Sequence, residues 1–135
     1  MLFDYELTVP ANTPAGSPVS DEVIVGPGAI TRVEVQFPDG CAGLVHARVR
    51  RWGHQLFPTN VDGWLTANGY VIAWDDDADV SEPPLTVTIE AYNLDDTYQH
   101  TLTFRFGVRA PAAGAPAWEL TPVGQAVMAA LAEGT

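Results

Sequence analysis

The sequence predicts an all-β domain: an antiparallel β-sandwich of about eight strands, jelly-roll-like in arrangement, with a short C-terminal helix. Three observations support this prediction. Apolar residues recur at every second position in four segments, proline- and glycine-rich stretches separate the segments, and the pattern changes after Val108. Alternation with a period of two is typical of half-buried strands, and short strands divided by turn signals are typical of a sandwich.

The four alternating segments are expected to supply most of the core. Their inward-facing residues are predicted to be Val33, Val35 and Phe37; Val45, Ala47 and Val49; Leu85, Val87, Ile89 and Ala91; and Leu102, Phe104 and Phe106. Shorter strands are predicted at 2–9, 22–25, 55–57 and 70–74. The loop 93–97 has a length that commonly joins antiparallel neighbours, so we expect strand 85–92 to pair with strand 98–108.

The pattern change after Val108 divides the chain into a sandwich domain (1–108), a proline- and alanine-rich linker (109–120) and a helical tail (121–135). Thr121 as the cap and Pro122 at the first helical position predict the start of the helix. Its apolar stripe consists of Val123, Val127, Met128 and Leu131. An isolated helix of this length is marginal in water, so we expect it to dock on its own domain or on a neighbouring subunit.

The charge balance excludes several classes of partner. The net charge is −11, and all six basic residues are arginines. Such a chain repels nucleic acid phosphates and anionic membranes. No apolar run approaches the length of a membrane span, and the N-terminus does not resemble a signal peptide, so we expect a soluble protein made in the cytoplasm. The single cysteine, Cys41, is expected to be a buried small side chain.

The densest carboxylates are Asp75, Asp76, Asp77 and Asp79. Calcium prefers oxygen ligands, but this run lacks the glycine and the terminal glutamate of an EF-hand loop. We therefore predict a solvated acidic turn and no cofactor, and we keep a calcium-stabilised extracellular module as an alternative. The histidines lack zinc-site spacing, and no nucleophile elbow or phosphate-binding loop is present, so no enzymatic activity is predicted.

Two sets of residues are candidates for binding. His46, Arg48 and Arg50 alternate with core positions and offer scarce positive charge, which favours self-association as a trimer or another closed ring. Trp52, Trp64 and Trp74 lie near amide side chains, a combination by which many β-sandwich modules bind sugars. Aromatic residues are equally the usual anchors of protein interfaces. A carbohydrate-binding module is therefore the alternative to an assembly protein.

Four phrases of the sequence are similar to small proteins encoded among tailed-phage structural genes or prophage-like regions. They are YELTVPANT at 5–13, FPDGCAGLV at 37–45, QLFP at 55–58 with Gly63-Trp64, and AYNLDDTYQHT at 91–101. The resemblance covers about residues 5–108. It implies a non-enzymatic structural component of a virion or virion-like particle, such as a decoration, neck or tail protein. Its implied partners are further copies of itself and other shell or tail proteins.

Overall fold

The computed structural model describes residues 1–60 and 62–111, which form eight β-strands and no helix. The prediction of an all-β fold with about eight strands is confirmed. The predicted helix, with Val123, Val127, Met128 and Leu131, lies outside the described residues. The strands are β1 (Leu2–Val9), β2 (Val19–Ile24), β3 (Gly28–Phe37), β4 (Val45–Arg51), β5 (His54–Phe57), β6 (Tyr70–Val80), β7 (Thr86–Asn93) and β8 (His100–Arg109).

The strands form two four-stranded antiparallel sheets. The first sheet has the order β1-β8-β3-β6, and the second has the order β2-β7-β4-β5. The pairing is nested along the chain: β1 pairs with β8, β2 with β7, β3 with β6, and β4 with β5. The chain therefore doubles back at the β4–β5 turn, and its two halves run alongside each other through both sheets.

The predicted pairing of strand 85–92 with strand 98–108 is wrong. β7 pairs with β2 and β4, whereas β8 pairs with β1 and β3 in the other sheet. The loop between β7 and β8 crosses from one sheet to the other. Asn93 supports this crossing, because its side-chain amide donates to the carbonyl oxygens of Val9 at 3.3 Å and Tyr98 at 2.9 Å.

The core lies between the sheets and contains nearly all of the side chains predicted to face inward. Leu85 is the exception: it precedes β7 and is half-buried. Ile30 is also buried, although it is out of phase with Val33. The reason is a β-bulge, since the pairing of β3 with β8 shifts between Ile30 and Arg32. Such a bulge inserts one extra residue and resets which side chains face the core.

The acidic run is not a turn, which corrects the prediction from sequence. Residues Asp75 to Asp79 continue β6, and their backbone pairs with β3 as far as Val80 opposite Gly28. Within the described residues β6 pairs on one side only, so it forms an edge of the first sheet. Charged side chains on an edge strand oppose unwanted pairing with the edges of other molecules. We interpret the carboxylates as protection of this eleven-residue edge.

Candidate functional site

The outward face of β4 carries His46, Arg48 and Arg50, the three residues of the domain predicted to form an assembly surface. Alternate residues of β4 are buried in the core, so strand geometry sends these three to the opposite face. The structure therefore brings them together on the outer face of the second sheet. Whether this face can bind a partner through its charges depends on how those charges are paired within the chain.

Glu90 neutralises much of the positive charge on this face. It lies directly opposite Arg48 in the β4–β7 register, and its Oε2 accepts hydrogen bonds from Arg48 Nε at 3.2 Å and Nη2 at 3.0 Å. Arg50 Nε lies 3.8 Å from Glu90 Oε1. The side chains of Arg48 and Glu90 are 14% and 11% exposed. Charges so removed from water must be paired, so Glu90 holds the two arginines in place.

The segment after β5 covers Arg48. Backbone hydrogen bonds of 2.9 and 2.8 Å join Ala47 and Leu65, and they place Trp64 on the outer face. The Arg48 guanidinium carbon lies 4.0 Å from the centre of a Trp64 ring, in a cation–π contact. Trp64 also meets Tyr92 edge-to-face, with ring centres 4.7 Å apart. The positive charge of Arg48 therefore has its partners within the chain.

His46 contributes packing to this face. Its ring stacks on Tyr92 with centres 4.5 Å apart and planes within 1° of parallel. Burial lowers the pKa of the His46 imidazole, which favours the neutral form. Of the three predicted residues, Arg50 has the most open charge, with a side chain 31% exposed. It borders a surface cavity of about 310 Å³ lined by Arg48, Arg50, Gly53, His54, Gln55 and Asp62.

The structure places the three candidate glycan-binding tryptophans in different surroundings. Trp52 occupies the turn between β4 and β5, Trp64 packs on Arg48, and Trp74 contacts Phe57 from β6. Their hydrogen-bond and ring partners are different, and no ring contact joins any two of them among the described residues.

Trp52 has an unusual backbone conformation that the sequence did not reveal. Arg51 pairs with His54, so Trp52 and Gly53 form a two-residue turn, with φ angles of 54° and 76°. Positive φ at both positions defines a type I′ turn, which favours Asn and Gly. A side chain in this left-handed region costs about 1–2 kcal/mol, so the stability of the turn does not explain Trp52.

Arg51 holds this turn against the neighbouring edge of the first sheet. Its guanidinium donates hydrogen bonds to the carbonyl oxygens of Asp79 at 3.4 Å, Glu82 at 2.9 Å and Pro84 at 3.3 Å. The same guanidinium lies 4.2 Å from the centre of a Trp52 ring. The Trp52 residue nevertheless remains 56% exposed. The result is a supported indole, that is, one packed against the Arg51 guanidinium, which projects from the tip of the β4–β5 hairpin.

An apolar cleft lies further along the same flank. It has a volume of about 210 Å³ and is lined by Phe57, Pro58, Thr59, Leu65 and Trp74. Phe57 and Trp74 meet edge-to-face with ring centres 5.3 Å apart, so the cleft lies where β5 and β6 approach each other. Trp74 Nε1 donates to Asp76 Oδ2 at 3.0 Å, which places a carboxylate beside the cleft.

The outer face of the first sheet is a network of opposite charges across all four strands. Arg32 bonds Glu34 at 3.0 Å and Asp75 at 3.1 Å. Arg105 lies 3.6 Å from Asp4 and 3.7 Å from Glu34. Arg109 pairs with Asp77 at 3.4 Å. Surface pairs of this kind contribute little stability individually, but they leave few arginine charges free for a partner.

Cys41 does not have the surroundings of a catalytic thiol. It is fully buried, and burial raises the pKa of its thiol, which disfavours the reactive thiolate. Nearby, His100 Nε2 lies 2.9 Å from Asp95 Oδ2. The other Asp95 oxygen accepts the backbone N–H groups of Thr97 and Tyr98. Asp95 therefore organises the loop that crosses between the sheets.

Asp95→Asn should destabilise the protein at neutral pH. The hydrogen bond from His100 and those from Thr97 and Tyr98 lower the pKa of Asp95 below its ordinary value of 3.8, so the ionised carboxylate favours the folded state. That stability is present above this value and is lost as the pH falls through the lower folded-state pKa. Urea unfolding over an acidic to neutral pH series should show that the difference in unfolding free energy between wild type and variant becomes smaller in acid.

Asp96→Asn is the matched control, because it removes one negative charge from the same loop without touching His100. A gap between wild type and Asp95→Asn that stays constant down to the most acidic pH would contradict this account of Asp95.

Within residues 1–60 and 62–111, no group of three or more histidine, cysteine or carboxylate side chains is arranged to hold a metal ion. The same residues contain no helix with the length and apolar character needed to cross a membrane. A comparison with models of known protein families finds no match, and a comparison with curated proteins finds no significant match.

Proposed function

We propose that this protein is a non-enzymatic structural component of a virion or virion-like assembly. It acts through contacts with further copies of itself and with other shell or tail proteins. We infer further that the sandwich is a jelly roll, and the nested pairing of its eight strands in two antiparallel sheets supports this inference. Viral capsid domains use this arrangement, as do lectins and cupins, so the fold alone does not decide between them.

The observation that carries the proposal is the contrast between paired charges and exposed apolar side chains. All six arginines contact carboxylate or carbonyl oxygens within the chain. Large apolar residues nevertheless remain exposed: Met1, Leu2, Ile24, Trp52, Tyr70, Val71, Leu94 and Tyr98. Scattered exposed apolar residues are common, but a supported indole such as Trp52 is typical of an interface anchor. Such a surface favours recognition by shape and apolar contact.

The alternatives have less support. A carbohydrate-binding module would be favoured by rings arranged side by side, whereas Trp52, Trp64 and Trp74 have separate neighbours. A calcium-stabilised module would be favoured by converging carboxylates, whereas Asp75 to Asp79 lie along a strand that sends successive side chains to opposite faces. A catalytic role would be favoured by an accessible nucleophile, whereas Cys41 is buried.

The test is the mass of the full-length protein in solution, measured by light scattering and sedimentation velocity over a range of concentrations. We expect a concentration-dependent closed oligomer at high micromolar concentration. A monodisperse monomer that also binds no shell or tail protein would contradict the proposal.

A further inference from the structure

The β4–β5 hairpin tip holds Trp52 in a left-handed backbone conformation that favours Asn or Gly, although the Trp52 ring remains exposed. The tip is held in one arrangement, because Arg51 bonds three carbonyl oxygens and Arg50 donates to the carbonyl oxygen of Gly53. Backbone conformations that are unfavourable for their residue are found preferentially at functional sites. A rigid, exposed indole beside an arginine also has the composition of an interface hot spot.

The cleft between Phe57 and Trp74 is suited to receive such a side chain. An apolar cavity of about 150 Å³ holds a benzene ring, and this cleft has a volume of about 210 Å³. Aromatic rings form two of its walls and can contact an inserted ring edge-to-face. Asp76 lies beside it and makes no ion pair within the described residues. Its Oδ2 accepts from Trp74 Nε1 and its Oδ1 from the backbone N–H of Asp77, so a cation that accompanies the inserted ring would meet an oriented carboxylate whose charge has no partner among the described residues.

The tip and the cleft lie on one flank of the sandwich. Arg51 contacts the backbone of Asp79 in β6, and Phe57 contacts Trp74 in β6, so both features lie on the flank formed by the edge strands β5 and β6. The four residues of β5 join them, which corresponds to a separation of about 10 Å along the strand. A surface that carries both a projection and its complementary cleft can pair with itself about a two-fold axis.

We propose that Trp52 of one copy inserts into the Phe57–Trp74 cleft of a second copy, and that the second copy makes the same contact in return. This inference rests on the proposed function, since it names the surface through which the chain associates with itself. The reciprocal arrangement brings Arg51 of each copy towards Asp76 of the other, so the charges around the apolar contact are complementary. A two-fold pair is also the smallest closed ring.

Trp52→Asn in the full-length chain tests the projection. Asn is favoured at the first position of a type I′ turn, so the variant should fold at least as stably as wild type. Its dimer dissociation constant, measured by sedimentation, should rise about 30-fold or more, the loss expected for an interface hot spot. Tyr98→Asn, which removes a similarly exposed ring from the β7–β8 loop, should leave self-association unchanged. An unchanged dissociation constant for Trp52→Asn would overturn the proposal.

Thr59→Arg tests the cleft, because Thr59 is an exposed lining residue and the new side chain both fills the cleft and repels the incoming Arg51. At concentrations at which wild type dimerises, each variant alone should associate much more weakly. A mixture of Trp52→Asn and Thr59→Arg should associate, because the first keeps an open cleft and the second keeps its Trp52. The mixed pair keeps one of the two insertions, so a mixture that associates no more strongly than either variant alone would overturn this contact.

The outcomes separate this inference from the proposed function. Self-association that neither variant weakens would overturn the Trp52 contact and leave the assembly role standing. If an added oligosaccharide in that case protected tryptophan fluorescence from quenching in wild type but not in Trp74→Phe, the cleft would be assigned to a sugar. A wild-type chain that is monomeric and binds no shell or tail protein would overturn the assembly role itself.

Discussion

Phe104→Ala should lower the free energy of unfolding by about 3–5 kcal/mol, the largest effect that we expect from a single core substitution. Phe104 is fully buried on β8, which pairs with both β1 and β3 and is an interior strand of the first sheet. Truncation removes the ring from the centre of the sandwich and leaves a cavity that fixed neighbouring strands cannot close. Urea unfolding, followed by far-UV circular dichroism and fitted by linear extrapolation, measures the change.

Thr103→Val is the matched control for Phe104→Ala. Thr103 is the neighbouring residue on β8 and faces outwards, and valine keeps its branched shape. We expect a change in unfolding free energy within about 0.5 kcal/mol, as for most surface substitutions. Equal losses for the two variants would mean that the assignment of inward and outward faces on β8 is wrong.

Glu90→Ala should lower the free energy of unfolding by about 3 kcal/mol, because removing one partner of a covered ion pair leaves the other charge unpaired. The substitution leaves Arg48 beneath Trp64 without its carboxylate and removes the nearest acidic group from Arg50. The Trp64 ring should also become more exposed, since Arg48 is one of its two side-chain contacts on the sheet, although the Ala47–Leu65 hydrogen bonds keep the segment in place. Urea unfolding gives the stability change, and a red shift of tryptophan emission that is lost in a Trp64→Phe background reports exposure of Trp64.

Glu34→Ala provides the comparison on the opposite face. Glu34 also lies between two arginines, Arg32 and Arg105, but its side chain is 28% exposed against 11% for Glu90. Water replaces part of the lost interaction there, so we expect a loss of no more than about 1 kcal/mol. If Glu90→Ala lowered the free energy of unfolding as little as Glu34→Ala, the Arg48–Glu90 pair would contribute no more stability than an exposed surface pair.

The inward-facing residues could be predicted from sequence because the signal is local. Consecutive side chains of a strand point to opposite faces, so spacing alone predicts that Val33, Val35 and Phe37 face the core. Pairing could not be predicted in the same way. The loop after Asn93 has a length suited to a hairpin, yet it carries the chain into the other sheet, because loop length does not encode which strand becomes the neighbour.

The binding residues were predictable in part. The alternation of His46, Arg48 and Arg50 correctly indicates that they share an outward face. The sequence does not indicate that Glu90 pairs with Arg48 or that Trp64 covers it, since these residues are far apart along the chain. The exposed charge expected from spacing is therefore largely neutralised in the folded domain.

By itself, the sequence determined the all-β class, the approximate strand number and the inward side chains, because these follow from the period of two and from chain-breaking residues between strands. Tertiary structure alone decided the nested sheet order, the extension of β6 through Asp75 to Asp79 and the conformation of Trp52. These features arise from contacts between residues distant in sequence. Each depends on which backbone or charged group lies opposite in the folded chain, and the local sequence pattern does not encode that neighbour.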